Sequence, residues 1–319
     1  MTGDISHSAG DPFPGAGVSP RPLIRESSPA KINLCLAVEG RRADGFHDIR
    51  SLVMSVGLHD TLLFESTPGE PLAVTFDVPG IDEDDNLVAN AARLLADHCQ
   101  TPCEVRISVR KKIPVAAGLG GGSGNAAATL RGCNRLWQTS VSEEELQSMG
   151  AELGSDVPLF FHLPCAELAG RGEVVRSVEQ SWDGWCVLVH FPHPVSTAQV
   201  YKNWSSSDCR SDADVSLAAS RHAHDATALM AHCFNDLSAS VKRVAPQVSS
   251  WDAALQDIGL GTFAMTGAGA TFFRFFDDYD VARDAQMRVM AAFAGNDDSQ
   301  NSDEAVKTWT LPVPVREVV

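Results

Sequence analysis

The sequence predicts an α+β fold made of two successive layered units. Three observations support this: strand-like and helix-like segments alternate without regular strand–helix–strand spacing, two glycine-rich turns interrupt them, and the apolar pattern restarts after Trp182. The chain of 319 residues is long enough for two hydrophobic cores. We therefore expect a first domain over residues 25–182 and a second over residues 183–319.

The N-terminal segment differs in composition from the rest of the chain. Residues 1–24 are rich in Gly, Pro, Ser and Asp, with prolines at positions 12, 14, 20 and 22. Such a segment buries too little apolar surface to offset the entropy lost on ordering. We expect it to be a disordered tail.

The charge balance limits the classes of partner. A formal net charge of −16 argues against nucleic acid and also repels ATP, so a nucleotide site must be made locally positive. Lys111 and Lys112 could supply part of that charge or could equally be a solvated strand end. We find no basic, apolar leader and no run near the roughly 18 apolar residues of a membrane helix. We expect a cytoplasmic protein with no membrane partner and, because its cysteines are scattered singly, no zinc or disulfide framework.

The first strand candidate is Lys31–Val38. Its apolar residues alternate, which places Ile32 and Leu34 on one face and Lys31 and Asn33 on the other. The pattern leaves open whether the two polar side chains reach into a cleft or lie on an exposed edge face.

The remaining elements follow from periodicity, caps and breakers. Asp85 is a plausible cap for the helix that follows it, and Ser142 with Glu145 fits a capping box for a helix that Gly154 ends. Alternation or continuous apolar runs predict strands at Val53–Leu63, Leu72–Val78, Cys103–Ile113, Trp185–Phe191 and Trp309–Val313, and Met265–Phe275 is predicted to be a second glycine loop that leads into a strand. Helical spacing predicts helices at Asp84–His98, Asn125–Trp137, Ser142–Gly154, Leu229–Val244, Val248–Ile258 and Asp280–Ala294.

The most informative stretch is Pro114–Leu130, which holds five glycines followed by a run of small residues. A segment with few Cβ atoms can adopt positive φ angles and bring its main chain against a ligand. The helix expected to open at Asn125 offers free N–H groups and a positive dipole end to an anion. The stretch therefore predicts a phosphate cradle made of main chain.

Three kinds of phosphate loop can be compared with this stretch. A Walker-type loop requires a lysine after the glycines, and none is present. Residues 122–127 match the dinucleotide fingerprint, but that motif requires a strand that runs straight into its first glycine, and Pro114 intervenes. The remaining kind is a long glycine-serine loop that caps a helix.

Two further features are ambiguous by themselves. Asp156 lies at a helix end, two residues before Pro158, and could be a plain turn residue. Phe46 and His47 follow the turn signal at residues 44–45, and this pair could hold a base or pack the loop.

Several motifs in order resemble those of the GHMP kinases, which phosphorylate small molecules. They are SPAKINLCLAV, PVAAGLGGGSGNAA and TGAGATFF. With RRADGFH, GSDVPLFF and PVSTAQVY, the resemblance is closer to the branch that acts on a cytidine-diphosphate-linked sugar alcohol of the non-mevalonate isoprenoid pathway, and it extends from about Pro29 to Phe273. It implies a first domain like ribosomal protein S5 domain 2, which binds the nucleotide, and a second domain that is a ferredoxin-like α/β sandwich.

The resemblance also implies roles for individual residues. Asp156 would be the general base for the acceptor hydroxyl, and Lys31 would stabilise the charge of the transferred group. ATP would be the co-substrate, with Mg²⁺ expected to accompany it, and no dedicated metal site is expected in the protein. The acceptor would contact Asn33, Phe46, His47, Thr197 and Gly267. The ATP phosphates would lie against Pro114, Val115, Ala116, Ala117, Gly118, Leu119, Gly120, Gly121, Gly122, Ser123 and Gly124.

The sequence departs from the family pattern at two of these positions. Gly124 stands where a second serine is usual, which implies one hydroxyl fewer near the phosphates. Phe46 replaces the usual tyrosine, so it keeps the stacking face but lacks the phenol.

Overall fold

The computed structural model describes residues 22–294 and 306–313. The predicted disordered tail lies outside the described residues up to position 21, and a strand begins at Leu23. Among the described residues, no helix is long and apolar enough to cross a membrane.

The first sheet has seven strands in the described residues and is centred on a long antiparallel pair. The strands of this sheet are β1 (Leu23–Arg41), β2 (His47–Ser66), β3 (Ala73–Phe76), β4 (Val105–Arg110), β5 (Cys165–Ala169), β6 (Val174–Ser177) and β8 (Phe234–Asn235). Their order is β3-β4-β2-β1-β8; β5 pairs with β2, and β6 pairs with β5.

Three helices, α1 (Leu87–Cys99), α2 (Gly121–Trp137) and α3 (Glu143–Leu153), pack with this sheet in one apolar core. The predicted cap of α1 is wrong by one residue, because Asn86, and not Asp85, accepts the N–H groups of Val88 and Ala89. The predicted capping box of Ser142 is confirmed for α3.

The second sheet is antiparallel, with the order β11-β7-β10-β9. Its strands are β7 (Gly184–His190), β9 (Ala264–Thr266), β10 (Thr271–Phe276) and β11 (Lys307–Val313). The other helices are α4 (Thr197–Lys202), α5 (Ala213–Arg221), α6 (Ala226–His232), α7 (Ser238–Val244), α8 (Gln247–Asp257) and α9 (Tyr279–Phe293). The α+β class is confirmed. The predicted boundary at 182/183 precedes β7, but β8 returns to the first sheet, so the division into domains stays a prediction.

The predicted single helix Leu229–Val244 is wrong. The chain leaves α6, forms β8 beside β1, and only then enters α7. Tertiary contacts override the helical pattern here, because Asn235 Nδ2 donates to the carbonyls of Met265 and Gly267 and its Oδ1 accepts the N–H of Leu237.

Strand β1 lies inside the molecule and not at an exposed edge. Ala30–Val38 is buried throughout, and its apolar residues belong to cores formed with the second sheet. The predicted alternation fails at Leu34, where the pairing with β2 shifts between Asn33 and Cys35. The polar side chains of this strand, Lys31 and Asn33, are therefore buried and do not lie on an exposed face.

We predict that Gly132→Ala destabilises the protein, whereas Gly122→Ala in the same helix does not. A Cβ at Gly132 would lie 2.6 Å from the Phe64 ring, while one at Gly122 would meet Leu87 at an ordinary 3.6 Å. Overpacking costs about 1–3 kcal/mol of unfolding free energy, while alanine in an open helical position gains up to about 1 kcal/mol. Urea denaturation of the ligand-free variants measures both. Equal losses in the two variants would contradict this packing.

Candidate active site

The glycine-rich stretch forms a loop that leads directly into α2. The helix begins at Gly121, four residues before the predicted start at Asn125, and the residue before it, Gly120, has φ +72°. Gly118 is also left-handed, with φ +75°. The free N–H groups at the start of α2 therefore belong to three glycines, Gly120, Gly121 and Gly122, and to Ser123.

The backbone of the loop lies in close contact with neighbouring side chains and with the backbone of the turn between β9 and β10. A Cβ at Gly120 would lie 2.8 Å from the Phe160 ring and 3.0 Å from Lys31 Cγ. A Cβ at Gly267, in the turn between β9 and β10, would lie 3.3 Å from the Gly118 carbonyl. Glycine is required at these positions by close approach as well as by positive φ.

Two cavities adjoin this loop. The smaller, of about 350 Å³, is bounded by residues of the first sheet and α1 and by the loop. The larger, of about 900 Å³, lies between the first sheet, α4 and the turn that joins β9 to β10. Gly118 and Gly120 line both. The smaller cavity, which we call the loop cavity, contacts Pro114, Val115, Ala116, Ala117, Gly118, Leu119, Gly120, Gly121, Gly122 and Ser123. The larger, which we call the central cavity, contacts Lys31, Asn33, Phe46, His47, Asp156, Thr197 and Gly267.

Lys31 and Asp156 lie together in the wall of the central cavity. Lys31 Nζ is 4.0 Å from Asp156 Oδ2 and donates a 2.8 Å hydrogen bond to Asn33 Oδ1. Its side chain is 7% exposed and that of Asp156 is 45% exposed. Burial lowers the pKa of Lys31, and the charge of Asp156 partly opposes that effect. An ammonium has three donors, so Lys31 can contact a further anion beside these two groups.

Asn33 is held by groups from both sheets. Its Nδ2 donates to Ser51 Oγ at 2.8 Å, and its main-chain N–H donates to Thr266 Oγ1 at 2.9 Å. The main-chain N–H of Lys31 donates to the Leu119 carbonyl of the loop at 3.0 Å. Strand β1 therefore holds the loop through the main-chain N–H of Lys31, and it holds the Lys31 ammonium through the side chain of Asn33.

The opposite end of the central cavity is aromatic. The His47 ring is 5.1 Å from Tyr201 and 5.3 Å from Trp204, and the Arg171 guanidinium lies 5.1 Å from the Phe46 ring. Burial, with the charge of Arg41 adding to it, lowers the pKa of His47. A neutral imidazole has one donor and one acceptor nitrogen, which suits the edge of an uncharged base.

Sequence reasoning missed part of this cavity wall. Tyr201 ends the motif PVSTAQVY, but no role for it follows from the sequence. Arg171 belongs to no motif and is marked only by its position between two turn glycines. The cavity is also lined by Arg41 and Lys202, so with Lys31 and Arg171 its cations outnumber Asp156 despite the acidic chain. Burial, and then the charge of Asp156, raise the pKa of Tyr201, so its phenol stays protonated.

The two lysines before the loop differ in environment. Lys111 lines the loop cavity, but its Nζ forms an ion pair with Asp60 Oδ2 at 2.5 Å, whereas Lys112 is exposed. Asp60 is fully buried and also accepts the main-chain N–H groups of Lys112 and Ile113 and the Asn125 amide. Much of the Lys111 charge is therefore neutralised within the protein.

The surroundings of Gly124 do not favour a side chain that reaches the loop cavity, while its effect on ATP binding stays a prediction. Gly124 is buried in the first turn of α2, where a Cβ would lie 2.5 Å from Ser28 Oγ and 2.9 Å from the Phe160 ring. A side chain at this position would face the interior, and it is the one loop residue expected to contact ATP that does not line the loop cavity.

In the part of the chain that the structure describes, no group of three or more His, Cys, Asp or Glu residues is arranged to hold a metal ion. Oxygen donors of the type that Mg²⁺ prefers are nevertheless present on both sides of the loop. Ser123 lines the loop cavity and Asp156 lines the central cavity.

Comparison with known proteins assigns the chain to a class. The family model for the GHMP kinases N terminal domain matches residues 86–162, which include the loop and Asp156. A solved L. major mevalonate kinase matches over 93% of this chain and 97% of that protein with a TM-score of 0.68, and at 15% identity it supports the fold alone. The α+β fold, with a glycine-rich loop beside two cavities, is that of a GHMP kinase, and ATP is its co-substrate.

Closer relatives identify the branch. A 4-diphosphocytidyl-2-C-methyl-D-erythritol kinase of Rhodospirillum rubrum is 35% identical over 81% of this chain and 86% of its own. Another, of Protochlamydia amoebophila, is 38% identical over 78% and 83%, respectively. A solved structure of 4-(cytidine 5'-diphospho)-2C-methyl-D-erythritol kinase is 28% identical, covers 91% and 99%, and has a TM-score of 0.73. The chain belongs to the 4-diphosphocytidyl-2-C-methyl-D-erythritol kinase family, which confirms the predicted resemblance, fold class and kinase activity.

Proposed function

We propose that this kinase transfers the γ-phosphoryl group of ATP to the 2-hydroxyl of 4-(cytidine 5'-diphospho)-2-C-methyl-D-erythritol. One observation carries the proposal: two cavities adjoin the glycine-rich loop, and its residues Gly118 and Gly120 line both. ATP would occupy the loop cavity and the acceptor the central cavity, so the phosphoryl group would pass beside Gly118 and Gly120.

The Lys31–Asp156 pair supports the chemistry on the acceptor side. Phosphoryl transfer depends chiefly on positioning and charge stabilisation, with a base to receive the proton of the hydroxyl. Asp156 is half exposed to the cavity and would take that proton, while Lys31 would neutralise charge on the moving phosphoryl group. Asn33 fixes the Lys31 ammonium and would orient the hydroxyl end of the acceptor.

The aromatic end of the central cavity supports a cytidine acceptor. Phe46 is 51% exposed and could stack on the base, and neutral His47 could pair with its edge. Thr197 and Gly267 would contact the linker between the base and the alcohol. Arg41, Arg171 and Lys202 would face the diphosphate, which an acceptor without nucleotide lacks.

Mg²⁺ would enter as the complex with the ATP phosphates, whose charge it neutralises. Ser123 and Asp156 are the oxygen donors on the two sides of the loop that could contact it. The acidic net charge of the chain makes this neutralisation more important for ATP binding.

The direct test is an ATP-consumption assay with product analysis by phosphorus NMR. We expect turnover with the cytidine-linked acceptor and none with 2-C-methyl-D-erythritol 4-phosphate, which lacks the base and the diphosphate. Equal turnover of both compounds would contradict the cytidine-linked alcohol as the specific acceptor. ATP binding without any phosphoryl transfer would contradict kinase activity.

We predict that Asp156→Asn binds both substrates with affinities near those of the wild type but loses about 100- to 10,000-fold in kcat, the usual contribution of a general base. Calorimetric titration with ADP and with the acceptor separates binding from turnover. Asp257→Asn, at the exposed end of α8, is the matched control and should retain activity. Normal turnover of the Asp156 variant would remove it as the base.

We predict that activity has an alkaline limb with an apparent pKa below 10.5, because burial lowers the pKa of Lys31 and only the ammonium is active. The rate is full below that pKa and falls as the pH rises through it. The measurement is kcat/KM against pH for wild type and Lys31→Arg, whose guanidinium stays charged. An identical limb in the arginine variant would show that another group titrates.

We predict that His47→Ala raises the KM for the acceptor about ten-fold, which corresponds to the loss of one or two hydrogen bonds. The KM for ATP should stay near the wild-type value, because His47 lines only the central cavity. His98→Ala, at an exposed position in α1, serves as the control. Parallel increases in both KM values would exclude a role for His47 in holding the base.

A further inference from the structure

Two consecutive buried hydrogen bonds lead from His190 in the second sheet, through Thr271, to the loop. His190 and Thr271 are paired residues on the neighbouring strands β7 and β10. His190 Nδ1 lies 3.0 Å from Thr271 Oγ1, and Thr271 Oγ1 donates to the Ala117 carbonyl at 2.8 Å. His190 is 6% exposed and Thr271 is fully buried.

The direction of these hydrogen bonds follows from their donors. The Thr271 hydroxyl has one proton, which goes to the Ala117 carbonyl, so its oxygen must accept from His190. Burial, with the charge of Lys307 on β11 adding to it, lowers the pKa of His190 to about 4. The ring is therefore neutral near pH 7, with its proton on Nδ1.

The anchored carbonyl belongs to the peptide unit between Ala117 and Gly118, in a segment with unusual main-chain angles. Ala116 has φ +58° and Gly118 has φ +75°, so the main chain on both sides of Ala117 is left-handed. A peptide unit is planar, and its C=O and N–H point in opposite directions. Fixing the Ala117 carbonyl therefore fixes the direction of the Gly118 N–H, at a residue that lines both cavities.

We propose that His190 and Thr271 are positioning residues that hold the Ala117–Gly118 peptide in the orientation that binds ATP. The inference rests on the proposed function, in which this loop receives the phosphates. It assigns a role in nucleotide binding to His190, which lies in none of the recognised motifs and outside the residues that line the loop cavity.

Thr271→Val is the main test, because it keeps the shape of the side chain and removes the hydroxyl. Losing one hydrogen bond to a flexible peptide should raise the KM for ATP and the dissociation constant of ADP about five-fold. The kcat at saturating ATP and the KM for the acceptor should stay near wild type. Thr271→Ser keeps the hydroxyl and should restore ATP affinity.

A second pair of variants tests the histidine. His190→Asn keeps a side-chain N–H donor close to the position of Nδ1, whereas His190→Leu removes it. We expect the leucine variant alone to raise the KM for ATP. In the Thr271→Val background, His190→Leu should add nothing, because it acts through the hydroxyl. If Thr271→Val fails to fold, as judged by circular dichroism, the His190 pair decides.

Two results would overturn the proposal. One is an unchanged KM for ATP in Thr271→Val and His190→Leu, and the other is an equal increase in the KM values of both substrates, which indicates general loosening. Failure of the proposed function would look different, because then the wild-type protein itself would not phosphorylate the cytidine-linked acceptor.

Discussion

Burial of the Lys31 ammonium is the constraint on which the rest of the site depends. An isolated charge inside a protein costs several kcal/mol, and here Asn33 at 2.8 Å and Asp156 at 4.0 Å offset that cost. The arrangement requires β1 to run between the two layers, with its apolar residues packed on both sides. Lys31 also donates its main-chain N–H to the Leu119 carbonyl, so this one residue positions both the ammonium and the loop.

Main-chain contacts allow the two layers to meet at this point. The loop of the first sheet and the turn of the second approach through Gly118 and Gly267, where a Cβ at either position would lie 3.3 Å from a carbonyl oxygen of the other segment. Thr266, at the start of this turn, accepts the main-chain N–H of Asn33, and the Asn235 amide donates to the Gly267 carbonyl. The loop is thus supported by the second sheet as well as by its own, which fixes the direction of its free N–H groups.

The sequence predicted the elements of the site better than their relative positions. Lys31 and Asp156 were ambiguous as single residues, because neither periodicity nor spacing defines the distance between a strand and a remote turn. The ordered motifs of the family supplied that relation. Arg171 and Tyr201 join the cavity only through tertiary packing, so no local signal distinguished them from other turn and helix residues.

The errors in the sequence predictions have specific physical causes. The helix expected from Asn125 begins at Gly121, because the glycines adopt the helical conformation, and Gly124 then packs beside Ser28 and Phe160. The helix expected across residues 229–244 is interrupted because Asn235 satisfies main-chain groups of a distant turn. In both places, contacts between remote segments determined the local structure, and local propensity did not.

The most direct test of this account is a crystal structure of the ternary complex with a non-hydrolysable ATP analogue and the cytidine-linked acceptor. We predict that the analogue lies in the loop cavity, with its γ-phosphorus about 3–3.5 Å from the 2-hydroxyl oxygen and with Lys31 and Asp156 beside that oxygen. A nucleotide triphosphate bound in the central cavity, or an acceptor hydroxyl directed away from Asp156, would contradict it.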